Sequence, residues 1–167
     1  MDALRKYAPY LFSLIIVFVF GQSLFFKFSD APEPAYIFST IDTWAAATFG
    51  IEGLFRPGGL FSQHVIGAFE GIASFLILIG LFMGGVKGES SAGVKIHALG
   101  ALLAFGIVSG ALFFHLFTPL GIVVGDEASG LAPDGGTLFI MAVAVWISSA
   151  MLLFGHRGLL SRAGTAV

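Results

Sequence analysis

Residues 63–83 read QHVIGAFEGIASFLILIGLFM, an apolar run interrupted in its second turn by a carboxylate, Glu70. A bilayer core of about 30 Å needs roughly 20 mostly apolar residues per helix, and this stretch meets that length. Three other windows do the same, from Tyr7 to Phe28, Val94 to Thr118 and Asp134 to Gly155. Segments 7–28, 63–83, 94–118 and 134–155 occupy over half of the 167 residues. The reading is therefore an all-α polytopic membrane protein, a single membrane domain over residues 1–167 with four transmembrane helices in one bundle.

Composition points the same way. Hydrophobic residues make up 57% and charged residues 11% of the chain, against roughly 25% charged in a typical soluble domain. That excludes an ordinary soluble enzyme and a disordered chain. A net charge of −2 leaves no basic stripe for phosphates, so nucleic acid is not an expected partner. The absence of cysteine removes thiol nucleophiles, Fe–S clusters and thiolate metal sites. Any redox role must then borrow a diffusible cofactor or a partner subunit.

Orientation follows from Lys and Arg. Arg5 and Lys6 precede the first span, Lys87 and Lys95 flank the connection after the second, and Arg157 and Arg162 follow the fourth. No Lys or Arg lies between Ile96 and His156, whereas Asp126, Glu127 and Asp134 make the last loop acidic. Both termini are expected on the cytoplasmic side of a cell (inner) membrane. The first span continues past Phe20 without a small-residue cleavage site and reads as a retained helix, not a signal peptide. In the outer loop 29–62, the run Ser29-Asp30-Ala31-Pro32-Glu33 offers a helix start, and a short interfacial helix through Tyr36, Ile37, Phe38 and Ile41 is expected.

Lipid is as apolar as a bundle interior, so small and polar residues mark the inward faces. In the second span they are Gln63, Gly67, Glu70, Ser74, Ile77, Leu81 and Gly84. The third span gives His97, Ala101, Ala104, Val108, Ala111 and His115; the fourth gives Asp134, Thr137, Met141, Ala144, Ser148, Met151 and Gly155. Gly67 with Gly71, Gly80 with Gly84, and Gly106 with Gly110 offer either a face for a second copy of the chain or close packing inside one.

Ionisable side chains at membrane depth are costly and usually mark a site. Glu70 lies six residues after His64, about 9 Å along a helix, so it is either protonated or paired. His115, Lys27, Gln22 and Asp134 fall at a similar depth on neighbouring spans, and with Glu70 they form the candidate ligand-binding or proton-sharing cluster. Each has a plainer reading: Lys27 reaching headgroups, Gln22 bonding between helices, His115 packing, Asp134 capping the fourth span. His97 and His156 sit at span ends and read as interfacial. Metal binding through His64, Glu70 and His115 is a weak signal, because no helix carries a paired His motif. No serine elbow or phosphate loop is present. Three functions remain open: a ligand-binding redox accessory, a small-molecule or proton transporter, and a non-catalytic scaffold or assembly factor.

The chain resembles the DoxX family of small four-helix integral membrane proteins. The likeness rests on Gly21-Gln22-Ser23-Leu24-Phe25-Phe26-Lys27-Phe28 with Ala31-Pro32-Glu33, on Gly67-Ala68-Phe69-Glu70, on Gly110-Ala111-Leu112-Phe113-Phe114-His115 with Gly121-Ile122, and on Asp134-Gly135-Gly136. These cover the chain from about Gly21 to Met151. The resemblance implies a four-span bundle and association with oxidoreductase systems, some of them quinone-linked, so that a quinone ligand and a partner redox subunit are expectations from that likeness. The tract Trp44 to Ser62 is longer than the family's pattern.

Because the chain lacks cysteine, single cysteines report its orientation directly. In intact cells a membrane-impermeant maleimide should label Ser129→Cys, and should reach Glu89→Cys only after permeabilisation. The reverse pattern would invert the expected orientation.

Overall fold

The computed structural model describes residues 2–126 and 128–164, with side chains described from Tyr7 to Gly158 apart from position 127. Four of the charges used for orientation thus lie outside the described residues: Glu127 altogether, and Arg5, Lys6 and Arg162 in their side chains.

The elements are α1 (Asp2–Phe28), α2 (Pro32–Phe49), α3 (Gln63–Phe82), α4 (Ser91–Phe117) and α5 (Thr137–Gly164), with a 3-10 turn at Gly85–Lys87 between α3 and α4. No strand occurs among the described residues. Four helices, α1, α3, α4 and α5, are long and apolar enough to cross a membrane. Local chemistry sets several ends. Pro32, with its fixed φ and missing N–H, and Glu33 in the first turn open α2; Gly50 closes it in the left-handed region at φ 68°, its N–H bonded to the Ala46 carbonyl. Ser90 caps α4 by accepting the N–H of Gly93 at 3.1 Å.

Around the bundle, α1 and α4 each pack between α3 and α5. The start of α1, the turn between α3 and α4, and the end of α5 share one end, here the terminal end. At the opposite, loop end lie α2 and the two long connections. The core is a dry cluster of Ile16, Phe20, Ala73, Ile77, Ala101, Ala104, Val108, Val145 and Leu152. Large side chains such as Phe18, Phe75, Leu102 and Phe154 are exposed on the outer faces, as a lipid-facing surface requires.

Most of the expected inward faces are observed, with corrections in α3 and α5. In α3 the buried line runs through Ala73 and Gly80, not Leu81. In α5, Met151 and Gly155 are exposed, and Val145, Ser148, Ser149, Leu152 and His156 face inward. Asp134 precedes α5 instead of starting it, and that helix runs on past Gly155 to Gly164, which carries His156 into the packed interior. Two glycine pairs serve packing within the protomer. A Cβ on Gly67 would fall 2.9 Å from the Phe28 ring, and one on Gly80 would fall 2.5 Å from the backbone N of His97. Gly84 instead supplies a left-handed turn at φ 73°.

The helix expected in the loop 29–62 is present and longer than expected: α2 has 18 residues, and a second cluster of Ile41, Ala45, Phe55, Leu120 and Val124 joins it to both connections. Its anchor is Asp42, fully buried. The carboxylate accepts the N–H groups of Phe55 at 3.0 Å and Gly53 at 3.2 Å, and pairs with Arg56 Nε at 2.7 Å. The Phe55 N–H holds this carboxyl below its usual range against the opposing effect of burial, helped by Gly53 and Arg56.

Close backbone approach at Gly80 predicts an asymmetry between glycines. Gly80→Ala should lower stability by about 1–3 kcal/mol, the usual cost of overpacking, whereas Gly106→Ala, whose Cβ would meet nothing within 4 Å, should cost nothing. Thermal unfolding of the two variants in the same detergent checks this; equal melting temperatures would contradict the packing.

Candidate functional site

Near its end α1 presents Gln22, Ser23 and Lys27, with Lys27 in the last turn, where exposed carbonyls favour a cation. Glu70 lies in the second turn of α3. Lys27 Nζ donates to Glu70 Oε1 at 2.6 Å and to Ser23 Oγ at 2.8 Å. Gly67 admits this approach, since a Cβ there would lie 3.4 Å from Lys27 Cδ. Of the two readings of Glu70, pairing is the one realised. Lys27 is turned inward, its side chain only 11% exposed. One Glu70 oxygen remains unmatched: Oε2 is buried with no hydrogen-bond partner, as is Ser74 Oγ one turn further along α3. Buried polar atoms are overwhelmingly satisfied, so such an atom asks for an explanation.

His115, in the last turn of α4, is buried and lies 2.6 Å through Nδ1 from the Gly121 carbonyl. A carbonyl only accepts, so Nδ1 carries the proton. In the neutral ring this leaves Nε2 as an acceptor. Asp134 has a structural task. Its Oδ1 accepts the N–H groups of Val124 at 2.8 Å and Gly136 at 2.9 Å, and its Oδ2 accepts that of Leu138 at 2.9 Å. Burial pushes this carboxyl up, but those three N–H groups, with His115 nearby, bring it below its usual range. The capping reading of Asp134 is thus realised geometrically. The Gln22 side chain makes no hydrogen bond among the described residues.

Lys27, Glu70, His115, Gln22 and Asp134 all line one cavity of about 660 Å³, within the roughly 300–1,000 Å³ of small-molecule sites. It lies between the dry core and the α2 cluster, reaching Phe20 and Val108 on one side and Ile41 and Phe55 on the other. Pro34, Ile37 and Phe38 of α2 close it at the loop end, and Phe26, Phe114 and Met141 add apolar wall. Gly106 and Gly110 line it too, with nothing within 4 Å of a Cβ on either. Within the protomer the third glycine pair therefore neither seats a neighbouring helix nor packs tightly.

The weak metal candidates do not assemble. His64 Nε2 lies 3.5 Å from Asp30 Oδ1 and its ring packs on Phe28, away from the cavity that Glu70 and His115 line. Among the described residues, no three His, Asp or Glu side chains come together as metal ligands.

Two polar sets escaped the sequence. Asp42 with Arg56 depends on backbone N–H groups 11 and 13 residues away, a partnership without a residue-type signature. His97 and His156, read as interfacial, are buried and 2.8 Å apart; the signal available was that His97 continues the small-residue line of α4. Comparison with protein-family models, curated proteins and solved structures gives no match for the chain.

The ion pair predicts a characteristic non-additivity. Lys27→Met, which leaves Glu70 buried and alone, should cost about 3 kcal/mol, whereas Lys27→Met with Glu70→Leu should recover most of that loss, because an apolar pair needs no solvation. Unfolding free energies of both single variants and the double variant in one micelle system supply the cycle.

Proposed function

We propose that this chain is a membrane subunit or accessory of a redox system, and that its cavity takes a quinone-like or small polar ligand. The supporting observation is the cavity itself: mostly apolar walls, a volume of about 660 Å³ and a few convergent polar groups, the combination typical of sites for amphipathic small molecules. The unmatched atoms favour a head that donates hydrogen bonds. Glu70 Oε2 has no partner, and a neutral form of His115 would offer Nε2 as an acceptor. A hydroxyl on a ring, as in the reduced form of a quinone, suits such acceptors, while the aromatic and aliphatic wall suits the ring and its tail.

The redox connection rests on the resemblance to the DoxX family, and the position of the cavity in the outer half rests on the distribution of Lys and Arg. With no cysteine in the chain, electrons would pass to a diffusible carrier or a partner subunit. Transport fits the interior less well. Between the cavity and the terminal end the bundle is filled mainly by Ile16, Ile77, Ala101, Val145 and Leu152, all at most 2% exposed; Ser149 there is spent on the carbonyls of Val145 and Trp146, which with Ser148 leaves few hydrogen-bonding groups for a permeating polar solute. A scaffold role has no comparable support, since two of the three glycine pairs are used inside the protomer or in its turns.

The test is to purify the chain with native lipids, extract it and assay for quinone, then repeat with Gly110→Leu. Gly110 lines the cavity and a Cβ there meets nothing within 4 Å, so the variant should keep its melting temperature and lose the bound molecule. A wild-type cavity that neither carries quinone nor takes up added quinone or quinol would overturn the proposal.

A further inference from the structure

At the terminal end, three helices meet through a chain of hydrogen bonds unrelated to the cavity. Ser13 of α1 lies 3.0 Å through Oγ from His97 Nε2 of α4, and His97 Nδ1 lies 2.8 Å from His156 Nε2 of α5. Ser13 Oγ also donates to the Pro9 carbonyl at 2.8 Å. Gly80 of α3 packs against the backbone of His97, so all four spanning helices converge on that residue. The three side chains are at most 3% exposed.

The direction of every bond in this chain is fixed by counting protons. The Pro9 carbonyl only accepts, so it takes the single hydroxyl proton of Ser13. The contact between Ser13 and His97 then requires an N–H from His97, placing its proton on Nε2 and leaving Nδ1 as an acceptor. Nδ1 in turn requires an N–H from His156 Nε2. Two neutral imidazoles satisfy the chain, and His156 Nδ1 is left over, with no hydrogen bond among the described residues. While His156 Nε2 keeps its proton, His97 cannot take one on Nδ1 without setting two N–H groups against each other. His156 can: a proton on Nδ1 leaves its Nε2–H bond to His97 intact.

A nucleophilic serine is excluded by the same geometry. The Ser13 proton is committed to Pro9, and the residue is 1% exposed, beyond the reach of a substrate. A metal between the rings is excluded as well, because the facing nitrogens already share a proton across 2.8 Å.

We propose that Ser13, His97 and His156 form a proton-binding site at the terminal end of the bundle, which takes up one proton on His156 Nδ1 and holds it as an imidazolium paired with a neutral His97. Its ligand is a proton, and its capacity is one. Among the described side chains, the ionisable ones sharing that end are Tyr7 and Tyr10 on α1, Lys87 with Glu89 at 3.6 Å in the connecting turn, Lys95 on α4 and Arg157 on α5, whose guanidinium lies 4.2 Å over the Phe154 ring; Asp2, Arg5 and Lys6 of α1 and Arg162 of α5 lie outside the described side chains. From Gly71 to Phe82, α3 contributes none. Uptake of the proton leaves the helix-to-helix contacts in place, so the site charges without unlocking the bundle.

The test is nitrogen NMR of the full chain in lipid nanodiscs with labelled histidine, the signals assigned with His97→Gln and His156→Gln. His97 should stay protonated on Nε2 alone throughout the titration, while His156 Nδ1 gains a proton in a single step as the pH falls. Ser13→Ala, which removes the group that orders the chain, should leave the protein folded and let His97 populate both tautomers. The proposal is overturned if wild-type His97 carries its proton on Nδ1, if both rings gain protons independently, or if neither gains one at any pH where the protein remains folded. A Ser13→Ala spectrum identical to wild type would also sink it.

Discussion

Hydrocarbon supplies no hydrogen bonds, so every polar group carried into it must find a partner inside the bundle or be left at a cost. This constraint organises the structure. At the loop end Lys27 reaches back to Glu70 and Ser23; at the terminal end Ser13, His97 and His156 bond in sequence; between them the helices touch through Ala73, Ile77, Ala101, Ala104 and Val145. Most of the buried polar residues are thus segregated into two depots, with a largely apolar layer, broken by Ser148 and Ser149 of α5, separating them. Small residues mediate both the approach and the separation. Gly67 lets the ion pair close, Gly80 brings α3 onto the backbone of His97, and the alanines of α4 keep the middle tight.

Much of this arrangement was legible in the sequence because membrane chains obey a length rule more strictly than soluble ones obey propensity. The four spans could be read to within a few residues, and the polar members of the cavity wall could be picked out because an ionisable group in an apolar run has no other easy explanation. What escaped has a common physical character. His97 and His156 lie near the ends of their apolar runs, where hydropathy alone makes a histidine unremarkable; that α5 continues past Gly155 is decided by packing. Asp42 was hidden because its partners are mainly backbone N–H groups, which every residue type offers alike. That Gly106 and Gly110 line a cavity and do not pack against another helix of the protomer was equally hidden, because a glycine announces only that a side chain is missing. Whether a neighbouring helix or empty space fills that gap depends on the tertiary arrangement.

The cap formed by α2 shows how a loop of unusual length takes on a structural function. Thirty-four residues join α1 to α3, numbers 29 to 62, and loops of that size inside compact domains usually carry structure of their own. Here the helix supplies the roof and Asp42 fastens the returning segment of the loop beneath it, placing Phe55 against Phe114 with ring centroids 5.4 Å apart. Asp134 repeats the device on the other connection, drawing Val124, Gly136 and Leu138 onto one carboxylate. Two carboxylates, Asp42 buried and Asp134 half-buried, each satisfied mainly by backbone N–H groups, thus brace the two connections around the cavity. Neither is free to serve a ligand, whereas Glu70, with one oxygen unmatched, is.

That difference bears on what the bundle can do. Ten residues of α3 separate Glu70 from Gly80, the level at which His97 sits, which is about 15 Å along the axis at 1.5 Å per residue. The intervening core is dry and contains Phe20, Ile77 and Leu152. Moving a charge through such a layer carries a desolvation penalty of several kcal/mol even after relaxation, and Ser74 Oγ, one turn inward from Glu70, is an unsatisfied atom and not the first link of a chain. In this conformation the two polar depots are therefore energetically independent: a ligand held at the loop end and a proton held at the terminal end would not exchange directly. A coupling between them would have to be mechanical, carried by α4, the helix that contributes His97 to one depot and His115 to the other.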